Sequence, residues 1–252
     1  MWLMAKRRLD VLPTISVIGC KQNILYQSPK NSEHNHTMKH YVITIKDLPQ
    51  SVKYAERLIK SGERHGMKIE MFDAITPSNT DITKMMKREE LSSLGFTEIY
   101  SRIDNCIAAF LSHYSLWKLS LNTRRPITIF EHDAVIVDEI KDTIAFNKIL
   151  NLGAPSYGKY RTPPFLGTGP LTHKRYFGGA HAYRINPWGA KDLVYQAKIQ
   201  AGPTDVFMNT QNFPYLQEHY PWKVVVKDTF TTIQNPVGCV AKHTWDSNYE
   251  IL

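Results

Sequence analysis

Pro126-Ile127-Thr128-Ile129-Phe130-Glu131-His132-Asp133-Ala134-Val135-Ile136-Val137 is the stretch on which the reading of the fold turns. The β-branched apolar run from Ile127 to Phe130 predicts a strand buried on both faces, the kind found at the centre of a parallel sheet. Glu131-His132-Asp133 interrupts the run, which then resumes through Val137. Two carboxylates spaced i and i+2 are costly to bury without a counter-charge. A divalent cation supplies one: hard carboxylate oxygens suit Mg2+ or Mn2+, and such an ion can in turn hold a diphosphate. The simpler alternative is that both acids face solvent where the strand ends, with Asp133 opening a turn.

Upstream, Tyr41 to Ile45 reads as a strand, and Pro49 suits the first turn of a helix. Val52, Ala55, Leu58, Ile59 and Gly62 repeat at helical spacing to about Arg64, and Lys68 to Phe72 forms the next strand. Strand, helix and strand at this spacing predict a βαβ unit with a right-handed crossover. Ligands of open α/β sheets bind beyond the carboxyl ends of the strands, so Asp47 and Asp73 join Asp133 on a candidate rim. Taken singly, Asp47 also fits a turn and Asp73 a strand terminator.

Short polar helices are expected over Asp81 to Ser93. A stronger helix starts at Asp104 or Asn105 and buries Ile107, Phe110, Leu111, Tyr114, Trp117 and Leu121. Ser112 and His113 lie beside that face with no sequence neighbour to complete a nucleophile arrangement, so His113 reads as a packed or hydrogen-bonded helix histidine rather than a catalytic one. After the central strand the pattern predicts a helix from Glu139 to Leu150, then a long loop over residues 154–174, either a lid or a mobile connection. Arg175 to Ile185 reads as a strand whose Gly178-Gly179 pair permits close approach of a ligand. A helix opens at Pro187 and runs to Ile199. Asp205 either caps a short helix or presents an acid at a pocket edge. Trp222 to Val226 is the last expected strand, and the tail carries His243.

The 252 residues suffice for one sizeable α/β domain. The net charge of +8 invites a polyanion partner, but residues 1–40 hold six basic and two acidic side chains, half of the excess. The remainder is mildly basic, compatible with a phosphate-bearing small substrate rather than nucleic acid. Cys20, Cys106 and Cys239 are far apart and fit no zinc or redox spacing, which points to reduced thiols and a reducing compartment. Lys6-Arg7-Arg8, an apolar stretch and Val17-Ile18-Gly19-Cys20 have the outline of a lipoprotein signal, yet Asp10 and Pro13 break the apolar part. The expected organisation is therefore an N-terminal extension, disordered or adventitious, over residues 1–40 and one domain over residues 41–252.

Six segments in order carry a family resemblance: Tyr41 to Ile45, Phe72-Asp73-Ala74-Ile75, Phe110-Leu111-Ser112-His113-Tyr114-Ser115-Leu116-Trp117, Ile129-Phe130-Glu131-His132-Asp133-Ala134, Gly179-Ala180-His181-Ala182-Tyr183 and Pro203-Thr204-Asp205. Together they resemble glycosyltransferase family 25, which includes lipopolysaccharide and collagen galactosyltransferases. The family's usual Glu-Asp-Asp reads Glu-His-Asp here, and Cys106 stands where a Glu is usual. The resemblance implies a GT-A fold, an α/β/α sandwich with a mostly parallel central sheet, and an inverting transfer of a galactose-like hexose from a UDP-sugar to an oligosaccharide or glycolipid hydroxyl. It also implies Mn2+ or Mg2+ held by Glu131 and Asp133, with His243 as a third ligand from the tail. Donor contacts are implied for Ile45, Asp47, Asp73, Ala74, Glu131, His132 and Gly179, and the role of base for Asp205. The setting implied is cytoplasmic, with at most peripheral association with the inner face of a membrane, in surface-glycan synthesis. The two departures motivate an alternative: a binding protein of the same fold with weak or no turnover.

Overall fold

The computed structural model describes residues 38–97, 101–227, 230–235 and 250–251. The expectations for most of the N-terminal extension, and those for Cys20, Cys239 and His243, lie outside the described residues. In chain order the elements are β1 (Lys39–Thr44), α1 (Pro49–Glu63), β2 (Ile69–Asp73), α2 (Ile82–Arg88), α3 (Ile103–Thr123), β3 (Ile127–Glu131), β4 (Ala134–Ile136), β5 (Ile149–Asn151), β6 (Gly167–Pro170), β7 (Ala182–Ile185), α4 (Pro187–Gln200), α5 (Thr204–Phe207), β8 (Gln217–Tyr220), β9 (Val224–Val226), β10 (Phe230–Thr231) and β11 (Glu250–Ile251).

The main sheet has seven strands in the order β2-β1-β3-β7-β5-β8-β6. β1 runs parallel to β2 and β3, as the βαβ reading requires. β7 is antiparallel to both β3 and β5, β8 is parallel to β5, and β6 is antiparallel to β8. Thus β2, β1, β3, β5 and β8 point one way, and β7 and β6 point the other. The sheet is mostly parallel, with β3 in its interior.

β3 divides two cores by its period of two. Ile127 and Ile129 join Phe110, Trp117, Tyr183 and Leu193 in the core beneath α3 and α4. Phe130 joins Val42, Ala55, Leu58 and Leu150 in the core beneath α1. Helices on both faces give the expected α/β/α sandwich, and they account for the burial of Ile127 to Phe130 on both sides of the strand.

The structure corrects three local expectations. Residues 139–148 form no helix, although Ile140 and Ile144 have helical spacing, and β5 begins only at Ile149. The cause is tertiary: the guanidinium of the fully buried Arg184 donates to the Lys141 carbonyl at 2.8 Å, the Ile140 carbonyl at 3.3 Å and Asp142 Oδ1 at 3.2 Å. Those carbonyls satisfy a buried cation in place of a helix ladder. The strand expected from Arg175 narrows to β7, because the glycine pair turns the chain before it. Finally, the second apolar run after Glu131 leaves the main sheet, since β4 pairs with β9 in a sheet of two strands.

Candidate active site

Glu131 ends the central strand, and a buried relay holds its carboxylate. Trp117 Nε1 donates to the Tyr183 hydroxyl at 2.8 Å. That hydroxyl lies 2.8 Å from His113 Nδ1, and His113 Nε2 lies 3.1 Å from Glu131 Oε1. One arrangement of protons satisfies the whole chain: Tyr183 donates to Nδ1, and the Nε2–H of His113 donates to the carboxylate. Burial alone would push the Glu131 carboxyl up, but opposing contributions, led by the hydrogen bond from His113, outweigh it and hold the group below the usual carboxylate range. α3 is long and apolar enough to bury Trp117 and His113, while β7 supplies Tyr183 from the neighbouring strand. Ser112, next to His113, accepts from Ile75 N at 2.8 Å and so fixes the loop after β2.

The rim residues are less built. Asp47 is exposed in the turn after β1. Asp73 ends β2 and pairs with Lys46 at 3.1 Å, with both side chains about half exposed. Ile45 and Ala74 are held through their backbones: Ile45 N donates to Ser51 Oγ at 2.9 Å, and Ala74 N to the Thr44 carbonyl at 2.9 Å. All four lie at or just beyond the carboxyl ends of β1 and β2.

His132 and Asp133 form a two-residue turn between β3 and β4. The Asp133 carbonyl accepts from Arg57 at 3.0 Å and from Lys227 N at 3.0 Å, which pins the turn to α1 and to the segment after β9. The His132 ring stacks on Phe230 at 5.3 Å and 3°, and Phe230 also stacks with Tyr54. Burial pushes the His132 imidazole down to about 4, so it is neutral at pH 7 and adds no positive charge beside the two acids. Cys106, the other departure, is buried in α3.

Asp205 lies on the single turn of α5. Its Oδ1 accepts from Val206 N at 2.8 Å, and its Oδ2 accepts a short hydrogen bond from the Tyr157 hydroxyl. Burial pushes its carboxyl above the usual range, and the charge of Glu131 pushes it further, so the two acids share one electrostatic neighbourhood. Lys174 donates to the Tyr157 carbonyl and sits 4.3 Å from the Tyr157 ring centre. Gly179 has φ +125°, a region closed to most side chains, and an added Cβ would stand 2.7 Å from His181 Nδ1 and 2.8 Å from Ser156 Oγ. His181 is buried and neutral, its value pushed down to about 4 by burial, and its carbonyl accepts from Glu131 N at 3.0 Å. Neither of its ring nitrogens has a hydrogen-bond partner among the described residues.

Behind Glu131 thus stand Trp117 and Tyr183, and Asp205 is met by Tyr157, which Lys174 holds in turn. The quoted sequence segments contained Trp117 and Tyr183, but nothing local marks them as hydrogen-bond partners. Among the described residues, no three His, Cys, Asp or Glu side chains converge into a closed metal site. Glu131 and Asp133 are hard carboxylate donors of the type that Mn2+ or Mg2+ takes. Mn2+ and Mg2+ take one or two carboxylates and complete their shell with phosphate and water oxygens. The Glu131 side chain, about a third exposed, keeps access to such a shell while Oε1 is held by His113.

The profile of glycosyltransferase family 25 (LPS biosynthesis protein) matches residues 37–165, half of the chain and all of the segment from β1 through Asp133. No curated protein matches the sequence. Among solved structures, a Drosophila beta-1,4-galactosyltransferase 7 mutant in complex with manganese, UDP-Gal and xylobiose is similar over 62% of this chain and 52% of its own, at 11% identity and a TM-score of 0.27. The chain thus spans about half the length of that structure.

Proposed function

The chain belongs to glycosyltransferase family 25, and from that premise we propose that it moves a galactose-like hexose from a UDP-sugar to a hydroxyl of an oligosaccharide or glycolipid, with inversion at the anomeric carbon. The observation that carries this reading is Glu131 at the end of the central strand, oriented from the core through His113. Glu131 and Asp133 are the residues that would hold Mn2+ or Mg2+. When bound, the ion supplies charge stabilisation to the leaving diphosphate. The imidazole of His132, neutral and stacked on Phe230, adds no positive charge beside the two outer acids.

Asp205 is the group proposed to take the proton of the incoming hydroxyl. Its raised pKa makes it a stronger base than an ordinary carboxylate, and Tyr157 fixes the direction its oxygens face. Gly179 brings bare backbone to the site, and Ile45, Asp47, Asp73 and Ala74 border it as the proposed nucleotide side. The setting that suits this activity is surface-glycan synthesis on the cytoplasmic side of a membrane, with peripheral contact at most. No helix among the described residues is long and apolar enough to cross a bilayer.

Donor hydrolysis tests the proposal. The full chain with Mn2+ is incubated for hours with UDP-galactose, UDP-glucose and their N-acetyl forms in turn. Release of UDP from one of them is expected, and no release from any would favour a binding protein without turnover.

A further inference from the structure

Glu218 on β8 and His173 are both fully buried, and neither belongs to the chemistry proposed above. Glu218 Oε1 accepts from Thr172 N at 2.6 Å, Thr172 Oγ1 at 2.9 Å and His173 N at 3.0 Å. Its Oε2 lies 2.7 Å from His173 Nδ1 and accepts from Trp222 Nε1 at 3.2 Å. His173 Nε2 accepts from Gly178 N at 3.2 Å, so the ring proton is on Nδ1 and points to Glu218. The Gly178 carbonyl in turn accepts from Ser156 N at 2.7 Å and Ser156 Oγ at 3.0 Å. An unbroken hydrogen-bonded strut therefore runs from the far side of the sheet to the glycine pair whose second member has φ +125°.

A buried ionisable pair is a poor source of stability, because apolar side chains of similar volume do as well. What apolar side chains cannot do is aim a backbone N–H. We infer that His173 and Glu218 are positioning residues that hold Gly178-Gly179 in the conformation that receives the donor nucleotide sugar, an inference that rests on the proposed function of this site. The carboxylate fixes the imidazole tautomer and ring angle, the imidazole holds the peptide that enters Gly178 through its N–H, and Ser156 holds the peptide that joins Gly178 to Gly179 through its carbonyl. Outer partners of this kind change affinity by about 10- to 100-fold when they are altered at metal sites, and a similar dependence is expected here.

The test uses the full chain, with UDP and Mn2+ as the probe. Glu218→Gln and His173→Gln are compared with the parent by calorimetric titration, and backbone exchange is followed over residues 176–180. Both variants are expected to bind UDP about tenfold more weakly at unchanged stoichiometry, with faster exchange at Gly178. A merely structural role would instead lower the stoichiometry, as part of the sample unfolds, and leave the affinity of the remainder intact; that result overturns the inference. Ser156→Ala, which removes the hydroxyl bond to the Gly178 carbonyl in the next peptide, should weaken binding in the same direction even if the buried variants fail to fold. Parent-like affinity and exchange in that variant also count against the strut. A parent chain that binds no UDP overturns the donor reading itself, and with it the use assigned to the strut.

Discussion

The two acids proposed to do the chemistry are supported in opposite ways. Glu131 ends an interior strand, and its relay is drawn from a helix and a neighbouring strand: Trp117 and His113 on α3, Tyr183 on β7. Asp205 sits on one turn of helix, and its partner Tyr157, held in turn by Lys174, comes from the connection between β5 and β7. Glu131 is held below its ordinary pKa and Asp205 above it. Environments that push two carboxyls apart are what one site needs to keep one acid ionised beside a cation and the other ready to accept a proton. The rigid arm is suited to holding a charge in place, and the loop-borne arm to meeting an acceptor.

Substitutions that act on one arm alone are the way to break this contrast. The largest effect is expected for Asp205→Asn, which should lower the transfer rate by about 10²- to 10⁴-fold while leaving UDP affinity unchanged. Parent-like transfer, measured on whichever donor the parent uses, would remove Asp205 from the role of base. Tyr183→Phe attacks the other arm. It strands the Trp117 N–H and leaves His113 Nδ1 without its donor in a dry core, at a cost of about 1–3 kcal/mol per unsatisfied group. Urea unfolding should register that loss, and UDP affinity with Mn2+ should fall about tenfold.

Tyr157→Phe should be milder and visible mainly in pH dependence. The Tyr157 hydrogen bond lowers the Asp205 pKa, so its removal raises that pKa further. A base must be deprotonated to act, so the acid limb of the rate profile should move to higher pH; a limb that stays put separates Tyr157 from Asp205 function. The smallest effect lies away from both arms. Burial holds His40 at about 4 against an ordinary 6.5. Between those values the unfolded chain binds a proton that the folded chain does not, so stability falls as pH drops from 6.5 toward 4. His40→Gln should flatten that fall in thermal unfolding and leave UDP binding as in the parent.

The contrast also explains what the sequence disclosed. Ile127 to Phe130 announced a strand buried on both faces because both neighbours of a central strand are apolar layers, and the structure has it. The βαβ unit from β1 to β2 was equally legible, since helix and strand periods are local properties. His113 was read as packed or hydrogen-bonded, and its partners lie 18 and 70 residues away, which no spacing could reveal. The same holds for Tyr157, 48 residues from Asp205, and for Glu218, 45 residues from His173. The expected helix from Glu139 failed because Arg184, more than 40 residues on, claims its carbonyls. Long-range polar contacts decided each of these places, and local periodicity is silent about them.

The most direct test of the central account is calorimetric titration of UDP into the full chain, with and without Mn2+, alongside Asp133→Ala. The account predicts tight binding by the parent only when Mn2+ is present, and loss of that binding in Asp133→Ala at an unchanged unfolding midpoint. Equal binding with and without Mn2+, or parent-like binding by Asp133→Ala, would contradict it.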